Sequence, residues 1–344
     1  MEFISDYGLF LAKSLTVLFA IMAVVALLAG LKQRGQKQGK GHLEVRSLND
    51  HYDSLSEPLA ESLLSPNEKK HRLKKRRKDD KKRRKDKQGA TEKKRLFVVS
   101  FHGDLRASAT QSLREEITAI LQFASPRDEV LVRLESSGGM VHSYGLAASQ
   151  LDRVRKKGIP LTVAVDKVAA SGGYMMACVA DRIIAAPFAY IGSVGVVAQL
   201  PNVHRLLKKH DVDFEVLTAG DYKRTLTVFG ENTEKGRQKF LQDLQETHDL
   251  FKQFIREHRA TVDVDAIATG EVWLGTRAEQ LGLVDEVLTS DEYIADQLND
   301  VDAVEVTFAM KKSLPEKVGL VAEESADRML LRWVKRLSGP RHFS

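Results

Sequence analysis

A serine becomes a nucleophile only where its hydroxyl is exposed beside groups that can accept charge, and one stretch of this chain offers such a place. Val168-Ala-Ala-Ser171-Gly-Gly-Tyr174 follows a strand-like run, Leu161 to Val165, and leads into an apolar segment long enough for a short helix. At that transition the hydroxyl sits at the first helical turn, where free backbone N–H groups and the helix dipole favour negative charge. The same position suits an N-cap, and Ser171 taken alone is as good a cap as a nucleophile. A second glycine motif, Ser136-Ser137-Gly138-Gly139, ends an earlier strand-like run, with Gly138 33 residues before Ser171. Glycine lets a backbone approach a substrate closely, and one N–H from each motif would make an oxyanion hole. Either motif alone reads as a tight turn; the pair, spaced by one helix and one strand, points to acyl chemistry.

The elements that must position these motifs alternate in type. Leu96 to Phe101 is a short buried strand, Ala107 to Phe123 an amphipathic helix, Val130 to Leu134 a strand, and Ser143 to Lys157 a helix. Pro160 opens the strand Leu161–Val165. After Ser171 come a short strand at Ile183–Ala186, a glycine-broken one at Tyr190–Val197, a helix over Pro201–Lys209 and a strand at Phe214–Leu217. Thr233 to His258 carries an apolar stripe at helical spacing, and Val304–Phe308 reads as a late strand. Such alternation implies an α/β fold with βαβ units, a largely parallel sheet and active groups at strand ends.

Charge and hydropathy divide the rest. The net charge of +6 hides a tract, residues 69–87, that holds fourteen Lys/Arg and three Asp, which leaves about −5 for everything else. The tract has no interleaved aromatic residues, so it suits anionic headgroups better than nucleic acid. Leu15 to Leu31, extended by Leu9–Ala12, is apolar enough to span a bilayer core of roughly 20 residues. A cleaved signal peptide is the rival reading, but Glu2 and Asp6 make the start acidic where a basic one is expected. The basic residues after the run place the remainder of the chain in the cytoplasm by the positive-inside rule. Four segments are expected: an anchor at 1–31, a linker with the basic tract at 32–94, the catalytic domain at 95–290, and an extension at 291–344. The last carries an amphipathic stripe over Ala326–Leu337, suited to a membrane surface or to subunit packing. The single cysteine, Cys178, excludes an intramolecular disulfide and reads as a core residue.

Glu135-Ser-Ser-Gly-Gly-Met and Ala169-Ala-Ser171-Gly-Gly-Tyr, followed by Ile191-Gly-Ser193-Val-Gly-Val-Val and Gly220-Asp-Tyr-Lys223, resemble the motifs of the signal peptide peptidase A family of serine peptidases. The resemblance spans roughly residues 95–290. It implies the ClpP/crotonase fold, a spiral of ββα units that associates into homo-oligomeric rings, in a bacterial inner-membrane enzyme acting on peptide substrates without a cofactor. Some relatives work on the outer side of the membrane, so a periplasmic facing stands as the alternative to the cytoplasmic one. By the same resemblance Ser171 is the nucleophile, Lys223 the general base and Ser193 the serine that hydrogen-bonds the lysine amine. Gly139 and Gly172 lend oxyanion N–H groups, with Gly138 an alternative to Gly139. In single-domain relatives the serine and lysine can come from neighbouring subunits. The chain departs from the family at Ser137, where proline is usual, which bears on the rigidity of that loop.

Lys223 in isolation would be a solvated turn lysine, and it can act as a base only if desolvation depresses its pKa from about 10.4. Tyr222, Leu226, Val228 and Phe229 are the apolar residues nearby in sequence. Three other readings remain: a Ser-His-Asp triad drawing on His102, His142, His204 or His210 with Asp181 or Asp211; an acyl-CoA enzyme of the same fold; and a non-catalytic membrane scaffold. No metal-binding or phosphate-loop spacing occurs.

Overall fold

Runs such as Leu96–Val99 and Leu161–Val165 carry no polar alternation, the pattern of parallel strands buried on both faces. The computed structural model describes residues 41–74, 78 and 93–310. Contacts divide the chain into two units. One runs from Leu43 to Phe308; of the other, Met1–His42 with Ala309–Ser344, only residues 41, 42, 309 and 310 are described. The expected anchor, the basic tract beyond residue 78 and the Ala326–Leu337 stripe lie outside the described residues. Among the described residues no helix is long and apolar enough to cross a membrane.

The larger unit is built on strands β1 (His42–Ser47), β2 (Arg95–Gly103), β3 (Glu129–Ser136), β4 (Leu161–Val165), β6 (Arg182–Ala185), β9 (Glu286–Val287) and β10 (Asp302–Ala309). Their order is β1-β10-β2-β3-β4-β6-β9, and every pair from β10 to β9 is parallel. Helices α2 (Thr110–Phe123) and α3 (Val141–Lys156) make the crossovers on one face. There they cover Phe97, Val99, Phe101, Val132 and Val163. The alternate residues Leu96, Val98, Leu131 and Ala164 face the other side, against Leu48 of α1 (Leu48–Leu63) and Tyr293 and Ile294 of α9 (Ser290–Gln297).

The C-terminal end of β3 leaves this ladder. Its middle pairs with β4, but Ser136 pairs with Ala169 of β5 (Val168–Ala170). Strand β5 pairs in parallel with β7 (Tyr190–Gly192), which meets β8 (Val272–Leu274) in antiparallel register. Between β5 and β6 lies the short helix α4 (Gly172–Ala177), every residue of it buried. Two further helices flank β8, α7 (Val264–Ile267) and α8 (Gly275–Gln280).

Three sequence expectations differ from the structure. The stretch read as a linker begins with β1 and α1, because the buried side chain of Asn49 ties the start of α1 to Leu298 and Val301 and accepts the Ala303 N–H. Residues 291–310 of the stretch read as an extension likewise belong to the sheet and its cover, through α9 and through β10, which contains the late strand expected at Val304–Phe308. Phe214–Leu217 is not a strand: those residues are exposed and, among the described residues, join no sheet. They belong to a long arm. Between Val194 and Phe251 only Gly230 is buried, although this span includes α5 (His204–Lys209) and most of α6 (Glu234–His258). Helix α6 is capped by Thr233 and reaches the core near its C-terminus, through buried Phe251 and Ile255 and partly buried Phe254.

Candidate active site

Parallel register brings four strand ends, those of β2, β3, β5 and β7, side by side. Gly103 pairs with Ser136, Ser136 with Ala169, and Ala170 with Gly192. The residues that follow, Ser137-Gly138-Gly139, Ser171 and Ser193, therefore leave the sheet at one edge, where α/β folds place their reacting groups.

Ser171 occupies the N-cap position of α4 but does not cap it, since its side chain makes no capping hydrogen bond. The backbone holds it: the N–H donates to Gly192 O at 2.8 Å, and its carbonyl accepts from Met175 N at 2.9 Å. It sits at φ 52°, ψ −118°, a conformation that costs a non-glycine residue about 1–3 kcal/mol and persists only where the surroundings impose it. The hydroxyl is thus free of a capping role, and the residue is half-buried. Helix α4 has six residues, so the backbone N–H groups at its start matter more than any macrodipole.

The glycines fit closely around this serine. Gly138 has φ 89°, and a Cβ there would lie 2.7 Å from Ala170 O and Gly172 N and 2.8 Å from Ser171 Cβ. A Cβ on Gly139 would meet Leu105 O at 2.2 Å, and one on Gly172 would meet the Tyr144 ring at 2.4 Å. The two candidates for the first oxyanion donor also differ. The Gly138 N–H already donates to Ser136 Oγ at 3.1 Å, which leaves Gly139 as the better placed of the two.

Ser193 takes φ 51°, with its N–H donating to Glu271 O at 2.6 Å. Lys223 follows on the arm rather than at a strand end. It lies in an exposed turn of the arm, its N–H donating to Gly220 O at 3.1 Å, and among the described residues no hydrogen bond joins its amine to Ser171 or Ser193. The expected apolar cover faces elsewhere. The Tyr222 ring lies under the amines of Lys235 and Lys239, at 5.5 and 5.8 Å, and Phe229 packs on Phe214 at 5.4 Å.

Two family models match in tandem, Peptidase family S49 N-terminal over residues 2–151 and Peptidase family S49 over residues 153–303. A Haemophilus influenzae protein called Probable protease SohB is 54% identical, covering 98% of each chain. The chain belongs to peptidase family S49. A Probable protease SohB of Buchnera aphidicola from Acyrthosiphon pisum is 46% identical, over 96% of this chain and 98% of its own. The resemblance read from the motifs therefore holds, down to the SohB branch that the apolar N-terminal run and basic tract suggest. Among solved structures, a membrane-bound stomatin-specific protease, 1510-N, in complex with a substrate peptide is similar at TM-score 0.41 and 14% identity, over 66% of this chain and 97% of that one.

For a peptidase of this family the histidine alternative lacks an arrangement. His102 is exposed and approaches Glu135 at 3.6 Å, while Asp181 accepts from Arg155 Nε and Leu161 N, both at 2.9 Å. Among the described residues no histidine bonds to Ser171, and none of the His, Cys, Asp and Glu groups could hold a metal. Burial pushes the Cys178 thiol well above its usual range, as expected of an inert core residue. Sequence reasoning missed Ser136 and Tyr144 as parts of the site. Ser136 stood in the glycine motif without a task, and Tyr144, eight positions on, carries no motif of its own.

Proposed function

We propose that the chain is a membrane-anchored serine endopeptidase in which Ser171 attacks the peptide carbonyl and Lys223, lent by a neighbouring copy, accepts its proton. The observation that carries this reading is the Ser171 backbone: strained, fixed at both its N–H and its carbonyl, with the hydroxyl released from capping. The attack forms a bond from Ser171 Oγ to the carbonyl carbon. The N–H groups of Gly139 and Gly172 receive the negative oxygen, and the lysine returns the proton to the leaving amine. Water then hydrolyses the acyl-enzyme by the same path. Ser193, beside Gly192 at the end of β7, orients the lysine amine.

The arm supports the part given to a neighbour. It exposes Val197 (81%), Phe214, Leu217 (89%), Tyr222 and Phe229 together with Lys223. Apolar surface on this scale favours burial against another subunit, and a second copy in a ring would take the lysine amine out of water. We read the two ladders that divide at the end of β3 as a spiral of the ClpP/crotonase kind. The expected anchor, Leu9–Leu31, keeps the enzyme on a bacterial inner membrane with its catalytic unit in the cytoplasm. Its substrates there are short or unfolded polypeptides such as signal-peptide remnants or damaged proteins. A reporter fused to the C-terminus and active only outside would place the unit in the periplasm instead.

Complementation tests the mechanism. Ser171→Ala and Lys223→Ala chains, each inactive alone, should regain peptidase activity when co-assembled, because mixed neighbours restore one complete pair. Full activity of either variant alone would refute the assignment. Labelling of neither serine nor substrate would leave the scaffold reading, and turnover of a crotonyl-CoA substrate the acyl-CoA one.

A further inference from the structure

A single buried side chain bears on both proposed oxyanion donors. Tyr144 of α3 is fully buried, and its ring lies where any side chain at Gly172 would have to go, 2.4 Å from the position of a Cβ. Its hydroxyl donates to Asp104 O at 2.7 Å and lies 2.6 Å from Ser136 Oγ. A phenol has one proton. With that proton on the Asp104 carbonyl, the Ser136 hydroxyl must donate to Tyr144 Oη, which leaves Ser136 Oγ free to accept the Gly138 N–H at 3.1 Å. The result is one directed chain: Gly138 N–H to Ser136, Ser136 to Tyr144, Tyr144 to the Asp104 carbonyl. Its central bond, from Ser136 to Tyr144, is buried, where neighbouring hydrogen bonds strengthen one another.

The far end of the chain is itself fixed. The Asp104 carboxylate accepts from the N–H groups of Arg106 and Ser108 and from Ser108 Oγ, at 2.8–3.1 Å, which holds the 104–108 turn. The adjoining Leu105 carbonyl accepts the Met140 N–H at 2.9 Å and lies against Gly139. The Gly138–Gly139 loop is thus held from two sides without a proline at position 137. Gly103 must be glycine for this arrangement to exist, since a Cβ there would fall 2.4 Å from Ser136 Oγ and 2.5 Å from Tyr144 Oη.

We infer that Ser136 and Tyr144 are positioning residues of the hydrolytic reaction: a hydrogen-bond chain through both ties down the Gly138–Gly139 loop, and the Tyr144 ring at its centre packs against the Gly172 loop. Resting on the serine-peptidase reading, this gives them no contact with substrate: Ser136 sets the direction of the Gly139 N–H by holding Gly138, and the Tyr144 ring supports the Gly172 N–H from beneath. Both donors then keep their spacing as the carbonyl becomes an oxyanion.

The test uses the full chain in detergent, with a fluorogenic peptide and a fluorophosphonate probe. Ser136→Ala breaks the middle of the chain, and Tyr144→Phe keeps the ring but removes the hydroxyl. Each should lower kcat by about 10- to 100-fold and leave KM within about twofold, as expected when donors shift by a fraction of an ångström. Ser137→Pro added to Ser136→Ala should recover most of the kcat, because a fixed φ replaces the lost tie. Unchanged kcat in both single variants overturns the inference. So does a loss that appears in KM, a loss that only follows a fall in folded fraction, or a double variant without recovery. Failure of the wild type to label at Ser171 would instead sink the serine-peptidase reading itself, and is seen before any positioning variant is made.

Discussion

Replacing Gly138 by alanine should disable the site with little damage to the rest of the fold, and the size of the effect follows from the contacts. The backbone at Gly138 has φ 89°, where an L side chain is strained by about 1–2 kcal/mol. The added Cβ would also stand 2.7 Å from Ala170 O and Gly172 N, against an ordinary contact of 3.4 Å or more. Both neighbours are backbone atoms of the nucleophile turn, so no side chain can rotate away and the loop must retreat by about 0.7 Å. Misplacement on this scale costs on the order of 100-fold in rate, or about 2.7 kcal/mol of transition-state stabilisation. Peptide hydrolysis and fluorophosphonate labelling of Ser171 should fall together by that factor. The paired control is Gly145→Ala in α3, where nothing lies within 4 Å of a Cβ. It should raise stability by up to about 1 kcal/mol and leave turnover alone. Wild-type turnover in Gly138→Ala, or an equal loss in Gly145→Ala, would refute the reasoning.

Two further outcomes separate assembly from folding. Leu217→Asp places a charge at the most exposed apolar side chain of the arm, so it should dissociate the oligomer and abolish turnover while the Tm of the separated chains stays put; a catalytically active monomer would contradict the role given to the arm. Glu116 is buried in α2, where it accepts the Phe308 N–H at 2.7 Å, and desolvation raises its pKa above the unfolded value. An acid with a raised folded pKa binds more protons folded than unfolded, so its effect on stability worsens as pH rises through that range. Glu116→Gln keeps an acceptor without the charge and should therefore raise Tm at pH 7 but not at pH 4; equal shifts at both would be the wrong result.

Much of this was readable in advance because the chemistry sits on strands buried on both faces. Leu96–Phe101, Val130–Leu134 and Leu161–Val165 have no polar alternation, and their ends fix where Gly138 and Ser171 emerge. The helix α6 was equally plain, with Thr233 before it and an apolar stripe along it. Other features depend on partners distant in the chain. The folded role of residues 42–63 rests on Asn49 reaching Leu298, Val301 and Ala303, some 250 positions away, and an exposed strand followed by a polar helix gives no sign of that. Phe214–Leu217 has the composition of a strand, but among the described residues it joins no sheet. Tyr144 looked like one more apolar residue of a helix; only the approach of Gly103, Ser136 and Gly172 to the same ring gives it a task.

The strained serine and the exposed arm make a common sense when taken together. Ser171, its neighbours and the hydrogen-bond chain beneath them are complete within one copy and need no assembly to form. Lys223 is the opposite case: it stands in water, on a segment of more than fifty residues with a single buried position. If the base is completed by a neighbour, then the apolar contacts that drive association are also what strip water from the amine, and hydrolysis switches on with assembly. An isolated copy would carry a preorganised nucleophile and remain inert.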